Sequence, residues 1–162
     1  MRCLVFEPSR YGHRFSYLRH LVEAIAELAD EVVVTVNRSA PGSSEYREHI
    51  EPIKSLVTVD SSIPQGEDLS ALGFCRQAFV ALRSVVRHHR PDHVFVPSAD
   101  GVTQMMGPAR LLGISPFRGG MESEGVTLRE TFAYPARSGR GWVFARLSRI
   151  AAASAPWTVV HH

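Results

Sequence analysis

The stretch RCLVFEPSRYGHRFSYL, at residues 2–18, decides how this chain folds. The apolar run CLVF at 3–6 is typical of a buried strand, and a polar turn with proline and glycine follows at 7–14. Apolar residues then recur every three or four positions, which predicts a helix with one buried face. That face consists of Phe15, Leu18, Leu21, Val22, Ile25 and Leu28. A strand, a turn and an amphipathic helix open a doubly wound α/β sheet, where ligands bind at the carboxyl ends of strands.

The composition predicts one domain with a proper core, because 44% of the 162 residues are hydrophobic and 21% are charged. A net charge of +2 does not favour nucleic acid as a partner, and Lys54 is the only lysine among 18 basic residues. Cys3 and Cys75 are isolated, which favours reduced core residues over a disulfide framework or a metal site. No run is long enough to span a membrane and no signal peptide precedes the first strand, so we expect a soluble, cytoplasmic protein.

Strand and helix patterns alternate along the rest of the chain, and this alternation predicts a Rossmann-like α/β fold with a doubly wound, mostly parallel sheet. Because the last strand lacks the helix that should follow, we expect residues 1–162 to be the first half of something larger, either a truncated chain or one that completes its site with a partner. Further strands are predicted at 32–36, 56–59, 93–96 and 157–160, helices at 68–90, 102–112 and 139–153, a loop with one helical turn at 38–55, and a short strand within 114–124.

Four segments resemble the N-terminal Rossmann-like domain of GT-B glycosyltransferases, in the retaining class that uses nucleotide sugars. The segments are LVFEPS at 4–9 with Gly12-His13 after it, YLRHLVEAIA at 17–26, ADEVVVT at 29–35 and RPDHVFVPS at 90–98. The family usually enters its second strand with Gly-His-Glu-Val, where this chain has Ala-Asp-Glu-Val. The resemblance covers nearly the whole chain.

The resemblance implies the acceptor-facing half of an enzyme whose C-terminal half binds the nucleotide-sugar donor. The acceptor would be a small molecule, a glycan or a lipid-linked sugar, no metal or other cofactor is expected, and this half alone would be inactive. The spacing from Glu122 to Glu130 matches the family's Glu-x7-Glu donor motif. That motif belongs to the second domain, so we interpret the segment as a loop that faces the cleft.

Two residues are candidates for catalysis. His13 lies in the first turn, where the N-terminus of a helix would hold a phosphate or sugar oxygen, and the alternative is an exposed loop histidine. Asp100 follows the fourth predicted strand and would hydrogen-bond an acceptor hydroxyl or act as a base. Its alternative role is to cap the next helix, which Ser98 would also serve.

Six further residues are candidates for substrate binding. Arginines of the first turn would neutralise a diphosphate or an acidic acceptor. Arg118 and Glu122 are expected in a loop at the carboxyl ends of the strands, and the alternative is a surface ion pair. The six residues are Arg10, Gly12, Arg14, Ser98, Arg118 and Glu122.

The competing hypothesis is a non-catalytic flavodoxin-like or receiver-like binding module. A receiver would need paired acidic residues near the end of the first strand, and only Glu7 stands there. The chain has no Gly-x-Gly-x-x-Gly after the first strand, no P-loop and no Gly-x-Ser-x-Gly, which disfavours dinucleotide-binding, P-loop and serine hydrolase enzymes. Association of two copies through the unfinished sheet edge stays open.

Overall fold

The computed structural model describes residues 1–8, 14–64 and 70–126, and the predictions at 139–153 and 157–160 lie outside these ranges. The described residues form five strands and four α-helices. The strands are β1 (Arg2–Glu7), β2 (Glu31–Asn37), β3 (Thr58–Ile63), β4 (His93–Val96) and β5 (Glu122–Gly125). The helices are α1 (Arg14–Ala26), α2 (Ser44–His49), α3 (Ala71–His89) and α4 (Asp100–Leu111), with 3-10 turns at Ala40–Gly42 and Glu51–Ile53.

All strand pairs of the sheet are parallel, and their order is β3-β2-β1-β4-β5. The chain builds outward from β1 through β2 to β3 and then crosses to the other side of β1, where β4 pairs with it. The topological switch point therefore lies between β1 and β4. This order confirms the predicted Rossmann-like fold. A flavodoxin-like order would have placed β3 beside β1.

Helices cover both faces of the sheet, so the fold is doubly wound as predicted. The face of Cys3 and Val5 packs against α1 and α2, whereas Leu4 and Phe6 point into a second core under α3 and α4. Because β1 is central, its side chains are buried on both faces. This is why its sequence reads as one continuous apolar run.

Both cysteines belong to the buried interior, as the sequence suggested. Burial raises the pKa of the Cys3 and Cys75 thiols, which keeps them in the unreactive protonated form. In the described part of the chain, no helix combines the length and the apolar character that a membrane crossing requires.

The predicted elements agree with the structure except at exposed positions. The third strand was expected at 56–59 but lies at Thr58–Ile63, because β3 is an edge strand whose partial exposure tolerates the polar run DSS. Two residues expected on buried helix faces are exposed. Leu28 is 80% exposed because α1 ends at Ala26, and Leu72 is 69% exposed in the first turn of α3.

The end of α3 follows the predicted stop signal. Arg90 adopts a left-handed conformation with φ of 50° and its backbone N–H donates to the carbonyl of Val86. Pro91 comes directly after it, and a proline cannot continue the helix. In α4, by contrast, Pro108 stands inside the helix without ending it.

A partly buried hydrogen bond between side chains joins the end of α3 to β3. His89 Nε2 lies 2.7 Å from Asp60 Oδ2, and Asp60 Oδ1 accepts from the backbone N–H of Ser62 at 2.8 Å. Partial burial by itself raises the pKa of Asp60, but the hydrogen bonds from His89 and Ser62 outweigh it and hold the pKa below its ordinary value of 3.8. The ionised carboxylate therefore stabilises the folded state.

We expect the Asp60→Asn variant to be less stable than the wild type by about 1 kcal/mol at neutral pH. Folding lowers the pKa of Asp60, so the stability that its carboxylate contributes is fully present above the ordinary pKa of an aspartate. That stability is lost as the pH falls through the lowered pKa of the folded state. Urea unfolding of both proteins between pH 7 and pH 2 measures the gap. A constant gap across that range would contradict the assignment, and Glu48→Gln, at an exposed site on α2, serves as control.

Candidate functional site

The switch point contains a buried carboxylate held by a hydroxyl from the neighbouring strand. Glu7 is the last residue of β1, and Ser98 follows β4 by two positions. Ser98 Oγ donates to Glu7 Oε2 at 2.6 Å, and the two residues are 0% and 4% exposed. A hydroxyl-to-carboxylate bond of this length is charge-assisted, and burial strengthens it.

The charge of this carboxylate is compensated from the first turn of α1. Arg14 Nη1 lies 3.8 Å from Glu7 Oε1, and the Arg14 side chain is 31% exposed. A buried carboxylate without such partners would lose its hydration at a cost of several kcal/mol. Strand β1, helix α1 and the turn after β4 are therefore connected through one side chain.

The turn after β4 is also fixed from the other side. The backbone N–H of Ala99 donates to the carbonyl of Val126 at 2.9 Å, and the N–H of Val126 donates to the carbonyl of Val96 at 3.0 Å. The carboxyl ends of β4 and β5 thus meet in a continuous backbone network. Together with the Glu7–Ser98 hydrogen bond, this network fixes the carboxyl edge of the sheet at the switch point.

The candidates from the first turn fall partly outside the described residues, since Arg10, Gly12 and His13 lie in the undescribed segment 9–13. The structure brings Arg14 and Ser98 together around Glu7. The Arg14 side chain is 31% exposed.

Asp100 is the first residue of α4, half-buried, and two positions after Ser98. The expectation that Ser98 or Asp100 caps this helix is wrong. The N-cap residue is Ala99, which makes no side-chain cap, because the Ser98 hydroxyl is used by Glu7. Asp100 instead lies in the first turn, where the positive end of the helix dipole stabilises a carboxylate.

Arg118 and Glu122 do not lie where the sequence suggested. Glu122 begins β5 beside His93, the first residue of β4, and therefore lies at the amino ends of the strands. Arg118 is exposed in the turn before β5. The loop expected at the carboxyl ends is therefore at the opposite edge of the sheet, away from Ser98. The short strand expected within 114–124 lies at Glu122–Gly125, at the end of that segment and one residue beyond it.

At that opposite edge, Glu122 contacts His93 at the surface of the sheet. This position resembles the alternative role of Glu122, as a member of a surface ion pair. Its Oε2 lies 3.2 Å from His93 Nδ1, and Glu124 Oε1 lies 3.5 Å from His93 Nε2. His93 stacks on Phe95 with ring centroids 4.2 Å apart. Both glutamates are largely exposed, with 80% and 66% of their side chains accessible.

Sequence reasoning missed Glu7 as the centre of the site. The signal was present: a glutamate that ends an otherwise apolar strand, directly before Pro8, is buried only if other groups stabilise its charge. Its partner Ser98 lies 91 positions later, so no local pattern identifies the pair. Within residues 1–8, 14–64 and 70–126, no cluster of His, Cys, Asp or Glu side chains is suited to hold a metal ion.

No known protein family matches this sequence, and none of the curated proteins is significantly similar to it.

We expect Ser98→Ala to destabilise the fold by about 1–3 kcal/mol, because it removes a donor from a buried charged acceptor. Ser55→Ala, at an exposed loop position, is the matched control and should be near neutral. Chemical denaturation of Ser98→Ala, Glu7→Gln and the double variant gives the coupling energy between the two side chains. Strictly additive effects would show that the 2.6 Å contact contributes little to stability.

Proposed function

We propose that this chain is the acceptor-side domain of a GT-B-type glycosyltransferase, which transfers a sugar from a nucleotide-sugar donor. The observation that carries the proposal is the Glu7–Ser98 pair, which joins the ends of β1 and β4 at the switch point of a parallel sheet. In open α/β sheets, the crevice above this point is where ligands bind. The sequence resemblance supplies the class of reaction.

The described residues at the cleft suit recognition by charge and hydrogen bonding. Arg14, whose side chain is 31% exposed, would bind an anionic group of the acceptor, such as a phosphate or carboxylate. Asp100 would orient the acceptor hydroxyl that attacks the sugar. Transfer in this class relies on positioning and on stabilising the charge of the leaving diphosphate, for which the donor-binding half would be responsible.

The strand order favours this proposal over the flavodoxin-like or receiver-like module. A receiver needs accessible carboxylates at the ends of its central strands, whereas Glu7 is fully buried and bonded to Ser98. A cytoplasmic location belongs to the proposal as well, because nucleotide sugars are typical cytoplasmic donors for enzymes of the class that the sequence resembles.

Ligand binding by this chain tests the acceptor-side assignment. We expect glycosyl phosphates to raise the melting temperature by mass action, and Arg14→Ala to weaken binding by roughly 10-fold to 100-fold, since a charge-assisted hydrogen bond contributes about 1.5–3 kcal/mol. Arg14→Lys should lose less because it keeps the charge. The measurement is isothermal titration calorimetry against glycosyl phosphates, uncharged sugars and nucleotide diphosphates.

The control is Arg47→Ala, at an exposed arginine on α2, which should bind as the wild type does. The melting temperature of each free variant separates lost binding from lost stability, because Arg14 also pairs with Glu7. Equal affinities for the wild type and Arg14→Ala would refute the role of Arg14. An absence of binding to any sugar or sugar phosphate would overturn the acceptor-side proposal and favour the binding module.

A further inference from the structure

A groove of about 430 Å³ lies on the helical layer that carries α3 and α4. One wall is α3 between Arg76 and Arg87, and the other is α4 between Met105 and Leu112. The groove is separate from the candidate site, because it runs between the helices and the site lies at the carboxyl edge of the sheet. No part of the proposed glycosyltransferase function uses it.

The groove has an apolar lining that includes side chains exposed to solvent. Phe79, Met105 and Ile114 contribute to the lining, together with Val80 and Leu112, which are 57% and 75% exposed. Leu72 and Leu111 are also exposed on α3 and α4, at 69% and 86%. Four large apolar side chains exposed on one layer are typical of a surface that binds a partner.

Arginines line the α3 side of the groove. Arg76, Arg83 and Arg87 all contribute to it, at a spacing that keeps them on one side of the helix over roughly 16 Å. In the described part of the chain, no carboxylate forms an ion pair with any of the three. The Nε of Arg83 is buried and has no hydrogen-bond partner there. Arg76 and Arg87 are exposed, so acidic side chains of a bound partner would reach their guanidinium groups.

We propose that this groove binds an amphipathic helix of a partner protein, with its apolar face on the groove floor and its acidic side chains against the three arginines. A groove between two helices is the surface on which such a helix packs. The span of the arginines matches about three helical turns, so glutamates or aspartates at intervals of four and seven residues would meet all three.

Charge and shape favour this occupant over two others. In a symmetric dimer through the same face, the arginines of one copy would meet those of the other, and like charges across an interface are unfavourable. An anionic lipid surface would attract the arginines, but it is locally flat and would leave the apolar floor of a concave groove uncovered. An acidic helix satisfies both features at once.

The probe for the test is a fluorescein-labelled synthetic peptide of fourteen residues, with leucines at i, i+3, i+4 and i+7 and glutamates on both flanks. We expect fluorescence anisotropy to show saturable, salt-sensitive binding to the whole chain. The double variant Arg83→Gln/Arg87→Gln should raise the dissociation constant at least tenfold. The control Arg38→Gln/Arg47→Gln removes the same charge at exposed positions outside the groove and should change it less than twofold.

Two measurements locate the peptide and exclude general electrostatic attraction. In spectra of the methionine methyl groups, Met105 should shift on binding, whereas Met1, which does not line the groove, should not. A peptide whose leucines are replaced by serine should bind at least tenfold more weakly. Circular dichroism confirms that each variant is folded before its affinity is compared.

Several results would overturn the proposal. Equal binding by the serine peptide, equal loss in both double variants, or an unchanged Met105 signal would show that the groove is not the site. Binding to phosphatidylserine vesicles without binding to the peptide would assign the surface to a membrane. Self-association in analytical ultracentrifugation that is lost in Arg83→Gln/Arg87→Gln would assign it to a second copy of this chain.

Discussion

The burial of the Glu7 carboxylate constrains how the rest of this fold is arranged. A fully buried charge at the end of the central strand is tolerated only where donors and an opposite charge are held in place around it. Ser98 and Arg14 meet this requirement from two different elements. The pairing of β1 with β4, the start of α1 and the turn before α4 are therefore linked through a single side chain.

This arrangement separates the residues that build the cleft from those that can contact a ligand. Glu7 and Ser98 are inaccessible and bonded to each other, so they act by positioning the surrounding turns. Arg14 lies close to Glu7 and is also partly exposed, with 31% of its side chain accessible to solvent. Asp100 stands at the start of α4, directly after the fixed turn. Both side chains beside the switch point are thus carried by the first turns of helices.

The sequence predicts the elements of this fold well wherever burial dictates residue type. The strand at 93–96 was placed without error, and the apolar runs of β1 and β2 predicted central strands. The prediction was wrong at β3, because this edge strand is partly exposed and its polar residues DSS are also typical of a loop. It also placed Arg118 and Glu122 at the wrong edge of the sheet. Helix α4 returns the chain to the amino ends of the strands before β5 begins, and the sequence pattern does not show this. The contact between Glu7 and Ser98 spans 91 positions and has no local pattern.

Helix α4 connects the two surfaces that the structure offers to partners. It begins at Asp100 beside the switch point and ends at Leu111, and the next residue, Leu112, lines the groove against α3. Its first turn packs closely on α3, because a Cβ at Gly101 would lie 3.0 Å from Phe74 Cε1, and Cys75 Sγ lies 3.3 Å from Gln104 Oε1. Since α3 and α4 pack as one unit, a partner in the groove would hold the same helix pair that positions Asp100.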